Sequence, residues 1–112
     1  MDPDAYVEAV LTLVEQVPPG RVTTYGTLAE AVGYGGPRRV GRVMSTHGGS
    51  VPWWRVVRAD GSLPPSHDDE ARAHYAEEGT PTRSPARGHG IGRIDMAAAY
   101  FGDFTPVPPR RP

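Results

Sequence analysis

Apolar residues near the start of the chain recur at helical spacing: Tyr6, Val7, Val10, Leu11 and Val14 share one side of a 3.6-residue period. Asp2 as a cap, Pro3 in the first turn and Asp4 near the positive helix end mark the start. The turn Val17-Pro18-Pro19-Gly20 ends it, and Arg21-Val22-Thr23 reads as a short extended piece. Thr24 then caps a second helix, with Leu28, Ala29 and Val32 inward and Gly33 as its C-terminal stop. Past the link Gly33-Tyr34-Gly35-Gly36, Pro37 opens a third helix that runs to about Ser45, with Val40, Val43 and Met44 facing the core. Residues 51–58 read as extended, between the loop His47-Gly48-Gly49-Ser50 and the turn Ala59-Asp60-Gly61-Ser62. Beyond Leu63-Pro64-Pro65, Ser66 and Asp69 form a capping pair for a helix over about residues 67–78, ending at Gly79. Residues 80–90 have turn and linker composition, and residues 91–104 are apolar again and should pack back. One domain is expected over residues 1–104, with a disordered tail at 105–112.

The polar positions add a second layer. Arg38, Arg39 and Arg42 lie near one exposed side of the third helix, giving the order helix, glycine turn, arginine-bearing helix of a helix-turn-helix. All 12 basic residues are arginine, and net charge is −1. Their distribution is uneven. Residues 21–58 hold Arg21, Arg38, Arg39, Arg42, Arg55 and Arg58 against Glu30 alone, a local electrostatic footprint. A solvated surface helix and a helix that reads nucleic acid fit the arginine spacing equally well. The glycine turn and the basic surroundings favour DNA.

Other chemistry is thin. The chain has no cysteine, which excludes disulfides, thiolate zinc sites and a thiol nucleophile. His47, His67, His74 and His89 show no metal-ligand spacing, so no metal is expected. Ser45 and His47 lack a nucleophile-elbow motif and a paired carboxylate. Asp68-Asp69-Glu70 suits the positive end of a helix and reads as a solvated face. No apolar run approaches the roughly 20 residues that span a bilayer, so no membrane role is expected. The acidic start MDPDAYVEAV lacks the basic region of a signal peptide, which makes cytoplasmic localisation the expectation.

The pair Trp53-Trp54 in VPWWRVV poses the sharpest question. On an extended chain, neighbours point to opposite faces. One ring in the core, with the other over the sheet edge or on Arg55, would satisfy packing alone. A flat aromatic wall beside a basic helix would also stack a base, worth about 1–3 kcal/mol.

Read together, PPGRVTTYGTLAEAVG, PRRVGRVM and VPWWRVVRADGSL, within residues 18–63, resemble the DNA-binding domain of O6-alkylguanine-DNA alkyltransferases. They resemble more closely still the non-catalytic alkyltransferase-like proteins, to which EEG at 77–79 and GRIDMAAAYF at 92–101 are more loosely similar. The fold that this implies is α/β, mostly α: a winged-helix-like helix-turn-helix domain of the alkyltransferase C-terminal type.

In the alkyltransferases the active-site segment reads Pro-Cys-His-Arg-Val, and the cysteine accepts the alkyl group. Here the segment is Pro52-Trp53-Trp54-Arg55-Val56, so Trp53 stands at the acceptor position, as tryptophan commonly does in the alkyltransferase-like proteins. An indole cannot act as a thiolate, and no catalytic residue or cofactor is implied. Trp54 replaces the usual histidine and is read as packing or pocket wall.

The resemblance assigns Arg38, in the pattern Arg-x-Val-Gly-x-x-Met, as the finger that fills the gap left by a flipped base in the minor groove. Gly41 is the small residue that lets the helix approach the groove floor, and Arg42, unusual there, is free to find a phosphate. With Arg39, these form the DNA-binding set. Tyr25 helps to rotate the phosphate and lines the lesion-base pocket with Met44, Trp53, Trp54 and Val56, whose backbone helps to read the guanine edge. The implied function is a non-enzymatic sensor, monomeric, that binds O6-alkylguanine in double-stranded DNA without alkyl transfer and marks it for nucleotide excision repair proteins. The rival is a helix-turn-helix regulator that reads undamaged sequence and is indifferent to the lesion.

Overall fold

The three N-terminal helices form where their apolar stripes place them. In a computed structural model, residues 3–62, 68–83 and 92–105 are described. Helix α1 is Pro3–Gln16, α2 is Tyr25–Val32 and α3 is Gly36–His47. Tyr6, Val10, Leu13 and Val14 of α1 meet Leu28 and Ala29 of α2 and Val40 and Val43 of α3 in one buried cluster, completed by Val51 and Val56. Val7, Leu11, Val32 and Met44 pack against it, half-buried.

Caps fix the boundaries. Thr24 Oγ1 accepts the Thr27 amide at 3.0 Å, satisfying an N–H that the first turn of α2 leaves without a partner. Gly33, at φ +102°, ends α2 with its N–H on the Ala29 carbonyl. The turn into α3 depends on Gly35. Its φ is +93°, and a Cβ there would lie 2.5 Å from the Tyr6 hydroxyl, so glycine alone fits.

Strand β1 (Thr23–Thr24) pairs in parallel with β2 (Val56–Val57), in the register Thr23↔Val56 and Thr24↔Val57. Adjacent strand residues face opposite sides. Val56 therefore enters the helical cluster, while Val57 joins a second one with Val22, Ala71, Tyr75, Ile94 and Ala99. The short sheet is thus the wall between two cores. Helix α4 (Asp68–Glu78) supplies Ala71 and Tyr75 to the second core. Strands β3 (Thr82–Arg83) and β4 (Arg93–Ile94) pair antiparallel, and α5 (Met96–Ala99) follows. Residues 92–104 do pack back: the Val22 amide donates to the Ala99 carbonyl and the Phe101 amide to the Val22 carbonyl. The mostly helical domain with a small antiparallel pair after α4 agrees with the expected winged-helix-like fold.

Two segment readings are corrected. Residues 51–58 form strand only at β2, because Trp53–Arg55 forms a 3-10 turn, with the Arg55 amide on the Pro52 carbonyl. Contacts to α4 outweigh the local β preference there. Residues 80–83 are not linker: Thr80 is buried with its amide on the Tyr75 carbonyl, and Thr82–Arg83 is strand. The expected Asp2 cap, the Leu63-Pro64-Pro65 loop, the Ser66 cap, His67, His89 and the tail after Thr105 lie outside the described residues.

Candidate nucleic-acid interface

Helix α3 presents Arg38, Gly41, Arg42 and Ser45 along one outward stripe, opposite the buried Val40 and Val43. Arg38 and Arg42 are exposed, and neither guanidinium has an ion-pair partner among the described residues. Gly41 has open space where a Cβ would stand. Glycine in a helix interior costs about 1 kcal/mol relative to alanine, and nothing inside the fold requires it here. Its lack of a side chain leaves the outer stripe flat between Arg38 and Arg42. Gly41→Ala is accordingly expected to raise unfolding stability by about 0.5–1 kcal/mol while weakening DNA binding, two signs that thermal melts and titrations read separately.

Arg39 departs from the expected grouping. Its guanidinium carbon lies 4.2 Å from the Tyr6 ring centroid and 5.4 Å from that of Tyr34, a half-buried cation–π stack on the side facing α1. The Tyr6 hydroxyl donates to the Tyr34 carbonyl and closes the group. Arg39 thus clamps the turn before α3 to α1, away from Arg38 and Arg42. One residue along a helix is a rotation of about 100°, enough to move a side chain from the outer stripe to an intramolecular contact.

The C-terminal end of α3 meets the tryptophan turn around Gly48, which is buried. A Cβ there would lie 3.3 Å from Met44 Cε and 3.7 Å from Trp53 Cβ, so Met44 and Trp53 both flank Gly48. Tyr25 stands half-buried at the start of α2, packed on the helical core. Burial raises its hydroxyl above the usual range, against the opposing charge of Arg58. Val56 is fully buried, with its amide donated to the Trp53 carbonyl.

The two tryptophans share a side after all. In the 3-10 turn their rings meet edge to face with centroids 5.6 Å apart, and both pack on the second core. Trp54 stacks on His74 at 3.5 Å and 4°. Its indole N–H donates to Glu78 Oε2 at 3.0 Å, and its carbonyl accepts the Tyr75 hydroxyl. Arg55 lies 5.5 Å from the Trp54 centroid and pairs with Glu78 at 2.6 Å, donating also to the Val17 carbonyl. Trp54 is therefore committed to α4, and Trp53, also edge-on to His74 with centroids 6.1 Å apart, lies against Gly48.

Sequence reasoning missed His74, Tyr75, Glu78 and Arg58. For Glu78 a signal existed: a carboxylate in the last turn opposes the helix dipole, so its retention there implies a partner. His74 and Tyr75 carried no such mark, because their contacts are made across the fold. No group of three or more potential metal ligands occurs among the described residues. No described helix is long and apolar enough to cross a membrane.

Comparison with known proteins points to a DNA-binding family. Residues 5–80 match the family model described as 6-O-methylguanine DNA methyltransferase, DNA binding domain. A DNA base-flipping protein of Vibrio parahaemolyticus is 33% identical over 63 residues, 54% of this chain and 63% of that protein. One of Escherichia coli is 34% identical over 76 residues, 65% of this chain and 59% of that protein. The chain thus matches about three fifths of the length of these relatives. The crystal structure of S. pombe Atl1 in complex with damaged DNA containing O6-carboxymethylguanine superposes with a TM-score of 0.76 at 25% identity, over 90% of this chain and 98% of that one.

Proposed function

The chain belongs to the family of the 6-O-methylguanine DNA methyltransferase DNA-binding domain, as an alkyltransferase-like member, and we propose that it is a DNA-damage sensor that binds O6-alkylguanine without removing the alkyl group. The observation that carries this reading is Trp53. It stands at the acceptor position in a chain with no cysteine, and it lies against Gly48 at the foot of a helix whose outer stripe is Arg38, Gly41 and Arg42. The related base-flipping proteins and the Atl1 complex with damaged DNA support the same reading.

The physical sequence of events is as follows. Arg42 takes a backbone phosphate, which positions the helix without reading sequence. Gly41 lets α3 sit close in the minor groove, and Arg38 enters the stack where the lesion base leaves it. Extruding a base costs a few kcal/mol, less when its pairing is already weakened by an O6-alkyl group. The base comes to rest against Trp53 and Met44, with Tyr25 at the rotated phosphate and the Val56 backbone near the guanine edge. Trp54 adds to this pocket by holding Trp53 edge to face. With no thiolate to receive it, the alkyl group stays on the guanine. A complex that persists on the lesion is a platform for nucleotide excision repair proteins, and the protein acts as a monomer in the cytoplasm, on the nucleoid.

The test is a titration of two duplexes, identical except for one O6-methylguanine, followed by tryptophan fluorescence and gel shift at fixed salt. Tighter binding to the lesion, with fluorescence quenching and the methyl group retained, is the expected result. Equal binding to both duplexes would replace the sensor with a sequence-reading regulator, and methyl transfer to any side chain would make the protein an enzyme.

A further inference from the structure

The β3–β4 pair holds an arrangement that folding alone disfavours. Arg83 and Arg93 are directly opposite each other in the antiparallel register. Partners in such a register share a face, and like charges there repel. The neighbouring pair, Thr82 and Ile94, shows which face this is. Ile94 is buried in the second core, so Arg83 and Arg93 point outward, and both are exposed. Neither guanidinium is in an ion pair among the described residues.

The charge continues beyond the hairpin. The Ile94 amide donates to the Gly61 carbonyl at 2.9 Å, and a Cβ on Gly61 would lie 2.6 Å from the Ile94 carbonyl oxygen. That close approach presses the turn after β2 onto β4. Asp60 in this turn accepts the Ser62 amide and hydroxyl, which, with smaller contributions from the charges of Arg93 and Arg58, hold its carboxyl below the usual range. Arg58 in turn acts on Tyr25 at the head of α2. With Arg58 directly after β2, the hairpin and the turn pressed onto it carry three exposed arginines, Arg83, Arg93 and Arg58, and the turn itself one carboxylate, Asp60.

We propose that the outward face of the β3–β4 hairpin is a second DNA-backbone site, in which Arg83 and Arg93, continued by Arg58, take phosphates of the same duplex that α3 holds. This rests on the DNA-binding reading above. A polyanion turns the repulsion between Arg83 and Arg93 into attraction to a common partner. Phosphates carry no base identity, so the hairpin adds affinity equally to damaged and undamaged DNA and leaves lesion discrimination to the pocket.

The test uses the full chain as wild type, R83Q/R93Q and R83K/R93K, each titrated against the two duplexes from about 50 to 200 mM salt. Removing one arginine–phosphate interaction lowers the slope of log K against log salt by about 0.9. R83Q/R93Q is expected to lose up to about 2 from that slope, with both duplexes weakened by the same factor. Its melting temperature should be unchanged or raised, since a repulsion is removed, and R83K/R93K should keep most of the slope. An unchanged slope in R83Q/R93Q, with wild type binding DNA normally, overturns the hairpin site alone. A wild type that binds neither duplex overturns the functional reading and this site with it.

Discussion

Replacing Glu78 by alanine is expected to lower unfolding stability by about 3 kcal/mol, close to the cost of removing one partner from a buried ion pair. The Glu78 side chain is 11% exposed and that of Arg55 13%. Its carboxylate accepts Arg55 Nη2 at 2.6 Å, Arg55 Nε at 3.1 Å, Trp54 Nε1 at 3.0 Å and the Gly20 amide at 3.2 Å. One side chain thus joins α4 to the tryptophan turn and to the loop after α1. Without it, Arg55 keeps the Val17 carbonyl but loses its counter-charge, and the Trp54 and Gly20 donors lose their acceptor. In a domain of this size the melting temperature should fall by about 10–20 °C, read by circular dichroism. A drop of only a degree or two would mean that the group is a surface ion pair of little consequence.

The same carboxylate makes stability depend on pH. Burial alone would raise its pKa, but the donors from Arg55, Gly20 and Trp54 outweigh it and hold the group below the usual glutamate range. A depressed folded-state pKa stabilises the fold above the unfolded value, about 4.3, and that stabilisation fades as pH falls through the folded-state pKa. Unfolding titrations at about pH 6 and pH 3 should therefore differ more for wild type than for Glu78→Gln, which has no proton to take up there. Equal acid sensitivity in the two proteins would assign acid unfolding to other carboxylates.

Replacing Arg38 by alanine is expected to weaken binding to the O6-methylguanine duplex by about 1–3 kcal/mol, or about 5- to 150-fold, with little change in stability. Arg38 is exposed and makes no ion pair among the described residues, so the folded protein has little to lose. In the proposed complex Arg38 fills the gap in the base stack, an interaction that the free protein does not make. Undamaged DNA, which holds its base in the stack, should be affected less. Arg39→Ala is the internal contrast. Its stack between Tyr6 and Tyr34 belongs to the fold, so its removal should cost about 1 kcal/mol of stability and disturb DNA binding only through the placement of α3. If the two substitutions behaved alike, the distinction between an outer and an inner arginine would be wrong.

The N-terminal half was legible because its signals are local. Thr24, Gly33, Gly35 and Pro37 act within one or two turns of chain, and the stripes of α1, α2 and α3 meet one shared core. Residues 53–55 and 80–83 were misread because distant partners decide them. Trp54 needs His74 and Glu78 from α4. Strand β3 needs β4, whose partner residues lie ten or more positions later in the chain.

The sequence by itself determined that an arginine-bearing helix follows a helix and a glycine turn, and that the chain has no cysteine to act as a nucleophile. Those properties follow from residue identity and spacing, which no folding can alter. Tertiary structure alone decided which arginine faces outward, since Arg38 and Arg39 are neighbours separated by a helical rotation and by two tyrosines. It alone put Trp54 on α4 and set Arg83 opposite Arg93. Such assignments depend on contacts between segments far apart in the chain, where packing and hydrogen bonding override the preference of any short stretch.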